Sequence, residues 1–281
     1  MVNFNGELYG DEENFLNHNN RGLRYGDALF EAIRVVNGHV FFLEEHYLRL
    51  MSSMRILRME IPMNLTMEFL EGEILKTIAA NPESKGQRIR VSVFRNNGGL
   101  YKPTSNDISY IIESKELTDL FYTIPEQDYE IELFKDFYVN NDMLSTLKTN
   151  NKILNVVGSV FASENGYDNC LLLNNQKQVV EALNGNVFLV KGNTIKTPPL
   201  SDGCLNGIVR KKIIEIISKL EDYMIIEESI SPFELQKADE MFLTNTISGI
   251  IPVSKYRKKK FSNKVSLSLV GKLNLASRVT V

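Results

Sequence analysis

The strongest constraint on the fold is an Asn37-Gly38 pair that lies between two short apolar runs. An Asn-Gly pair in this setting is typical of a tight β-hairpin turn, because both residues tolerate the positive φ angles that the turn needs. Directly after it, apolar residues recur at the 3.6-residue spacing of an amphipathic helix over residues 44–58. A hairpin joined to a helix predicts a mixed α/β fold.

A second helix is predicted over residues 64–80. Asn64 is a good N-cap, and Asn81-Pro82 stops the helix because proline lacks the N–H group that helical hydrogen bonding needs. Alternating and apolar runs then predict strands over residues 88–95 and 108–112.

A domain boundary is expected after these strands, which divides the chain into residues 1–118 and residues 119–281. Short apolar runs between Asn-, Gly- and Lys-rich turns predict a β-rich core in the second part. Its predicted strands span residues 129–134, 170–173, 187–190, 195–197 and 240–243. Its predicted helices span residues 150–164 and 207–220, the second capped by Asn206, and a short third helix follows the capping box Ser231-Pro232-Phe233-Glu234.

Composition and charge favour a small-molecule partner. The chain has 281 residues, of which 43% are hydrophobic, and this is enough for two modest domains. Its formal charge of -3 gives no global attraction to nucleic acid or to an anionic membrane. Two cysteines without a CxxC spacing, no N-terminal export pattern and no apolar run near the ~18 residues that span a bilayer fit a protein of the reducing cytoplasm.

Three features carry potential chemistry. Lys148 offers an amine, Glu181 is an isolated carboxylate at a strand end, and Gly207 starts a helix whose free N–H groups can bind an anion. Each feature alone is more often a solvated group or an ordinary helix end. Ser145-x-x-Lys148 also matches a serine hydrolase motif, but the accompanying Ser-Asp-Asn and Lys-Thr-Gly motifs are absent from the sequence, so this alternative ranks low.

Short motifs along nearly the whole chain resemble, in order and spacing, those of the class IV aminotransferases, the fold-type IV pyridoxal 5'-phosphate enzymes. They are Arg24-Tyr25-Gly26-Asp27 with Phe30-Glu31, residues 45–50, Lys148-Thr149-Asn150, residues 181–188, Thr197-Pro198, residues 205–210 and residues 240–253. The resemblance implies a smaller N-terminal α/β sandwich, a larger C-terminal β-barrel-like domain with helices, and the cofactor in the cleft between them. It also implies a homodimer.

The resemblance assigns the cofactor-binding residues. Lys148 would be the catalytic residue, bound covalently to pyridoxal 5'-phosphate and later moving protons. Glu181 would keep the pyridine nitrogen protonated, so that the ring accepts electrons. The phosphate would be held by Arg49, by the backbone N–H groups of Ile208 and Val209 and by Thr246. Gly207, at the start of that helix, and Asn245 would also belong to the cofactor-binding residues. Many relatives have Thr where this chain has Val209, so one side-chain contact to the phosphate should be missing.

The resemblance also limits the reaction. Branched-chain aminotransferases usually carry Tyr at the position of Ile153 and Gly-Thr-Ala at residues 245–247, where this chain has Asn-Thr-Ile. D-amino acid aminotransferases usually carry Tyr at the position of Phe30. The strings at residues 206–210 and 244–253 look like those of 4-amino-4-deoxychorismate lyases, although Asn206-Gly207 also occurs in D-amino acid enzymes.

Substrate contacts are expected from Phe30, Arg90 and Asn245. Arg90 lies where the lyases place a basic contact, with Arg88 or Arg95 as alternatives, and an outward-facing strand residue is an equal explanation of Arg90. Three hypotheses follow: a lyase that forms 4-aminobenzoate and pyruvate, an amino acid aminotransferase that uses a 2-oxo acid acceptor, and a protein that keeps the scaffold without the chemistry.

Overall fold

The computed structural model describes residues 1–278, and the chain divides into two compact units. The first unit comprises Met1–Leu120 together with Lys148–Asn151. The second comprises Phe121–Leu147 together with Lys152–Val281. The segment that contains Lys148 therefore belongs to the unit built from the N-terminal residues.

One antiparallel sheet organises the first unit. Its strands are β1 (Val2–Phe4), β2 (Glu7–Tyr9), β3 (Ala28–Val36), β4 (His39–Val40), β5 (Gly86–Arg95) and β6 (Ile108–Glu116), in the order β2-β1-β6-β5-β3-β4. Its helices are α1 (Arg21–Tyr25), α2 (Leu43–Ile56) and α3 (Met67–Ala79). Val36 pairs with His39 across Asn37-Gly38, whose φ angles are 50° and 76°. The predicted hairpin and the helix that follows it are confirmed.

The start of α3 differs from the prediction. Thr66, not Asn64, is the N-cap, and its side chain accepts a hydrogen bond from the Phe69 N–H group at 3.2 Å. The backbone carbonyl of Asn64 instead accepts from Thr66 N at 2.8 Å in a turn before the helix. The helix therefore begins one short turn later than its sequence pattern indicates.

Two five-stranded sheets form the framework of the described part of the second unit. The first contains β7 (Glu130–Val139), β8 (Asn169–Asn174), β9 (Val179–Ala182), β15 (Lys255–Tyr256) and β16 (Lys259–Lys260), in the order β16-β15-β7-β8-β9. The second contains β10 (Asn186–Lys191), β11 (Thr194–Thr197), β12 (Met224–Glu227), β13 (Glu240–Asn245) and β14 (Gly249–Pro252), in the order β12-β11-β10-β13-β14. The helices are α4 (Ile153–Glu164), α5 (Ile208–Ile217), α6 (Pro232–Leu235) and α7 (Lys264–Ala276).

A shared apolar core joins the two sheets of the second unit. Leu171 of β8 and Leu243 of β13 belong to the same buried cluster. On the second sheet, Phe188 and Phe242 stack with ring centroids 4.9 Å apart. The predicted strands at 170–173, 187–190, 195–197 and 240–243 fall within β8, β10, β11 and β13 and are confirmed.

Helix boundaries in the second unit confirm one prediction and correct three. The capping box of α6 is present, with Ser231 and Glu234 each accepting a backbone hydrogen bond at the helix start. Helix α4 begins at Ile153 rather than at residue 150, because residues 148–151 pack with the first unit. Helix α5 ends at Ile217 rather than at residue 220, and its N-cap is Gly207 rather than Asn206.

None of the helices within residues 1–278 is both long and apolar enough to cross a bilayer.

The start of α7 depends on a buried carboxylate from another element. Glu240, on β13, is 1% exposed, and its oxygens accept hydrogen bonds from the N–H groups of Val265 at 2.9 Å and Ser266 at 2.7 Å. Glu240→Ala would leave these donors buried without an acceptor, so we expect the free energy of unfolding in urea to fall by about 2–4 kcal/mol. The exposed Glu221→Ala should change it by less than about 0.5 kcal/mol. Equal effects of the two substitutions would contradict this role.

Candidate functional site

The Lys148 segment pairs with strand β3 inside the first unit. The Phe30 N–H group donates to the Lys148 carbonyl at 2.9 Å, and the Asn150 N–H group donates to the Ala28 carbonyl at 3.0 Å. Thr149 forms an antiparallel bridge with Leu29. These backbone bonds hold Lys148 in an extended conformation beside the start of β3.

The ring of Phe30 contacts two cationic side chains. The Lys148 Nζ is 4.4 Å and the Arg90 Cζ is 3.9 Å from the centroid of the Phe30 ring. Arg90 Nη2 also donates to Asn150 Oδ1 at 3.3 Å. Burial lowers the pKa of Arg90, although Glu113 opposes the shift. The structure thus brings together an amine and a guanidinium, the group best suited to bind a carboxylate.

The other two candidate arginines of β5 have different environments. Arg95 is buried, and its guanidinium bonds to Asp27 at 3.0 Å and to the Leu57 carbonyl at 2.6 Å. These bonds tie loops of the first unit together, so Arg95 has a structural role. Arg88 is exposed to solvent.

Arg49 of α2 is held by a buried carboxylate. Its Nε donates to Glu31 Oε1 at 2.8 Å, and His46 Nδ1 lies 2.7 Å from Glu31 Oε2. Burial alone would raise the pKa of Glu31, but the charge of Arg49 and the hydrogen bonds from His46 and Arg49 lower it to about 2. Burial also lowers the pKa of His46, against the opposing effect of Glu31. Glu31 is therefore ionised at neutral pH, and a single negative charge orients Arg49.

In the second unit, Glu181 lies next to the loop that leads into α5. It belongs to β9 and is 9% exposed. Its Oε2 accepts a hydrogen bond from the Leu205 N–H group at 2.9 Å. The carboxylate is thereby fixed close to the segment that precedes the start of α5.

The start of α5 packs tightly against β10. Asn186 is 3% exposed and donates from Nδ2 to the Leu205 carbonyl at 2.9 Å. A Cβ atom added to Gly207 would lie 2.0 Å from Asn186 Oδ1, so only glycine fits at this N-cap. The first N–H groups of a helix, here those of Ile208 and Val209, have no acceptor within the helix, so they can bind an anion. The Val209 side chain is buried.

The turn after β13 is part of the same region of the second unit. Thr244 pairs with Asn186 across β13 and β10. Asn245 Oδ1 accepts hydrogen bonds from the N–H groups of Ile247 and Ser248 at 3.0 and 2.8 Å, which orders the turn. Thr246, 9% exposed, follows directly, and its carbonyl accepts from the Tyr122 hydroxyl at 2.9 Å. Glu181, the start of α5 and the Asn245-Thr246 turn are thus linked through neighbouring residues.

Ser145, the nucleophile of the hydrolase alternative, has an ordinary structural setting. It lies in the short 3₁₀ helix Met143–Thr146, and its Oγ donates to the Asp142 carbonyl at 2.7 Å. This local bond is typical of a serine in a helical turn. It gives no support to a serine hydrolase.

Gly207→Ala tests the anion site. We expect the affinity for pyridoxal 5'-phosphate to fall at least about tenfold, because the new Cβ would displace Asn186 and shift the N–H groups of α5. Titration of the apoprotein, followed by absorbance, measures this affinity. The matched control is Gly271→Ala in α7, where an added Cβ meets nothing within 4 Å. Unchanged affinity in Gly207→Ala would contradict the assignment.

Known proteins of the same family match most of the chain. The model of the family described as amino-transferase class IV matches residues 28–256. A protein of Methanocaldococcus jannaschii named "Putative branched-chain-amino-acid aminotransferase" is 31% identical over 94% of this chain and 90% of its own length. The D-alanine aminotransferase of Staphylococcus epidermidis is 26% identical over 90% of this chain and 88% of its own length.

Solved structures share the fold. A branched-chain aminotransferase from Thermoproteus uzoniensis, crystallised with norvaline, has a TM-score of 0.87 and 26% identity over 98% of this chain and 93% of its own. A "Putative 4-amino-4-deoxychorismate lyase" from Legionella pneumophila has a TM-score of 0.83 over 95% and 97% of the two chains, and at 24% identity it shows the fold alone. The predicted α/β fold class is confirmed.

These matches identify the chain as a member of the class IV aminotransferase family. It is therefore an enzyme, a transaminase or a lyase, and its cofactor is pyridoxal 5'-phosphate. A further branched-chain amino acid aminotransferase, 26% identical over 98% of this chain and 93% of its own with a TM-score of 0.84, was solved with pyridoxamine 5'-phosphate.

The residues of this chain fit that cofactor. Lys148 has a primary amine that can react with an aldehyde, and Glu181 has a fixed carboxylate that can pair with a pyridinium nitrogen. The glycine-started helix α5, whose N-cap has no space for a Cβ atom, supplies N–H groups suited to a phosphate.

Four residues that hold the candidate site residues in place were not predicted to do so from the sequence. The amide of Asn150 binds Arg90, Glu31 and His46 hold Arg49, and Asn186 supports the start of α5. All four act through contacts between distant segments. Glu31 and His46 both lie in quoted family motifs, but neither position alone indicates that the two side chains meet.

Proposed function

We propose that this enzyme is a 4-amino-4-deoxychorismate lyase that releases pyruvate and forms 4-aminobenzoate. The observation that carries the proposal is the contact of the Arg90 guanidinium with the ring of Phe30. The same ring also contacts the Lys148 amine. The substrate has one amine and two carboxylates. Its amine would react beside Lys148 while Arg90 binds a carboxylate, and Phe30 supplies an apolar surface for the ring.

The cofactor-binding residues are proposed from the family motifs. Lys148 would carry the cofactor covalently, and Glu181 would face the pyridine nitrogen. The side chain of Arg49, the Gly207 helix start with the N–H groups of Ile208 and Val209, and Asn245 with Thr246 would bind the phosphate. Asn245 would also contact the substrate. The buried Val209 side chain has no hydroxyl, so it contributes only its backbone.

Bound pyridoxal 5'-phosphate would supply an electron sink for the charge left when a proton is removed next to the substrate's amine. Lys148 would act as the base that takes the proton from the amine-bearing ring carbon. The C–O bond to the enolpyruvyl group then breaks and the ring becomes aromatic. Lys148 or water delivers a proton to the departing fragment, which becomes pyruvate.

An aminotransferase is the second candidate, and the names of the relatives favour it. The M. jannaschii and S. epidermidis proteins carry names of branched-chain and D-alanine aminotransferases. The residues proposed for the cofactor suit either reaction, because both begin with proton removal by the same lysine. What supports the lyase is Ile153, a residue without the phenol usual at this position in branched-chain enzymes, together with Arg90.

The two candidates differ in their need for an amino acceptor. The purified holoenzyme should release pyruvate from 4-amino-4-deoxychorismate without a 2-oxo acid, measured by coupling to lactate dehydrogenase. A parallel panel contains branched-chain amino acids or D-alanine with 2-oxoglutarate. If the amino acids of the panel are turned over and no pyruvate is released from the chorismate derivative, the lyase is refuted and the aminotransferase is supported.

Arg90→Ala tests the proposed substrate contact. We expect the KM for the chorismate derivative to rise about tenfold or more, because a carboxylate would lose its charged partner. Arg88→Ala is the matched control, since Arg88 lies two residues away on β5 and is exposed. An equal KM for both variants would refute the role of Arg90.

A further inference from the structure

Glu31, His46 and Arg49 form a buried polar network in the first unit that the cofactor assignments only partly use. Glu31 is 2% and His46 is 1% exposed, and the Arg49 side chain is 10% exposed. Buried charged groups are costly unless they are paired. Replacing such a pair by apolar residues is often neutral for stability, so the network is weak evidence of a stabilising role. Its geometry points to another purpose.

The carboxylate of Glu31 contacts two donors of one guanidinium. Arg49 Nε lies 2.8 Å from Oε1, and Nη2 bonds to Oε2. Two parallel bonds fix the plane of a guanidinium as well as its position. The opposite edge of the Arg49 guanidinium then points away from Glu31. A flexible arginine is thereby held in one orientation before any ligand binds.

His46 fixes the carboxylate itself. Its Nδ1 lies 2.7 Å from Glu31 Oε2, so the neutral ring donates from Nδ1. Its Nε2 is buried and has no hydrogen-bond partner among residues 1–278. A proton on Nε2 would therefore be buried without an acceptor, which favours the neutral ring. Because His46 is neutral, the full negative charge of Glu31 acts on Arg49.

We propose that Glu31 and His46 are positioning residues that orient Arg49 for the phosphate of the cofactor. This inference rests on the proposed assignment of Arg49 to the phosphate. The network then acts only on the binding of the cofactor's phosphate. It should change the affinity for pyridoxal 5'-phosphate but not the affinity for pyridoxal, which lacks the phosphate.

The test compares these two probes on apoprotein variants. Dissociation constants are measured by absorbance titration, and the melting temperature of each apoprotein is recorded. For Glu31→Gln we expect the affinity for pyridoxal 5'-phosphate to fall about 10- to 100-fold and the affinity for pyridoxal to stay unchanged. The matched control is Glu44→Gln, an exposed residue of the same helix as Arg49, which should change neither.

A second pair of variants keeps the test decisive if Glu31→Gln does not fold. His46→Asn retains a donor near the position of Nδ1, whereas His46→Leu removes it. We expect His46→Leu to lose affinity for pyridoxal 5'-phosphate selectively and His46→Asn to recover most of it. An equal loss for both probes would indicate a merely structural role and overturn the proposal, as would no loss at all.

Arg49→Ala separates this inference from the function on which it rests. If Arg49→Ala lowers the affinity for pyridoxal 5'-phosphate selectively but Glu31→Gln and His46→Leu do not, only the positioning role is refuted. If Arg49→Ala also leaves the ratio of the two affinities unchanged, the phosphate assignment itself is refuted.

Discussion

Lys148→Ala is expected to abolish turnover, whether the enzyme is assayed as a lyase or as a transaminase. In the proposed mechanism one amine both carries the cofactor and removes the substrate's proton, so no other group can replace it. The loss should exceed about 10⁴-fold, the upper range for one positioned acid–base group. The visible absorbance band of the holoenzyme should disappear in the same variant. Pyruvate release and the absorbance spectrum are the two measurements.

Lys152→Ala is the matched control for this prediction. Lys152 follows four residues later, at the N-cap of α4. Its substitution should leave turnover within about twofold of wild type and keep the absorbance band, because the proposed mechanism gives the Lys152 side chain no role. Turnover by Lys148→Ala above about 1% of wild type would show that another residue performs the reaction.

Glu181→Gln is expected to lower turnover about 100-fold while the cofactor stays bound. An amide cannot keep the pyridine nitrogen protonated, so the ring takes up less charge in the transition state. The amide oxygen of glutamine can still accept from Leu205, which preserves the local structure. Turnover should therefore fall while the affinity for pyridoxal 5'-phosphate is retained, and both are measured on the same preparation.

Glu181→Asp and Glu221→Gln complete this experiment. The aspartate variant retains a carboxylate and should recover part of the turnover. Glu221 is exposed and its substitution should have no effect. Wild-type turnover by Glu181→Gln would contradict the role of Glu181, and so would a variant that loses the cofactor altogether.

Local sequence patterns predicted much of the secondary structure because short-range chemistry determines it. The Asn37-Gly38 turn forms since both residues adopt positive φ, and the capping box of α6 forms within four residues. Helix α2 follows the apolar spacing of its own residues. None of these features needs a distant partner.

Features that depend on distant segments were predicted wrongly or were not predicted. Helix α4 begins later than predicted because backbone bonds to Ala28 and Phe30 hold the Lys148 segment extended. Helix α7 has its start bound by Glu240, which lies on a strand. Glu31 and His46 meet only because α2 packs on β3. The periodicity of apolar residues and the secondary-structure propensity of a segment contain no information about such pairs.

The candidate site was predicted through family motifs rather than through geometry. Lys148, Glu181 and Arg49 are a lysine, a glutamate and an arginine among many in the chain, and only their order along the motifs distinguished them. The structure adds what holds them: β3 for Lys148, the Leu205 backbone for Glu181 and Glu31 for Arg49. Their roles toward the cofactor stay predictions for the experiments above.

Lys148 is proposed to be the residue that carries pyridoxal 5'-phosphate. Holoenzyme treated with borohydride and digested with a protease can be mapped by mass spectrometry. We expect one phosphopyridoxyl adduct, on the peptide that contains Lys148, and none on the peptide that contains Lys152. An adduct on any other lysine, or a protein that binds the cofactor without forming one, would contradict it.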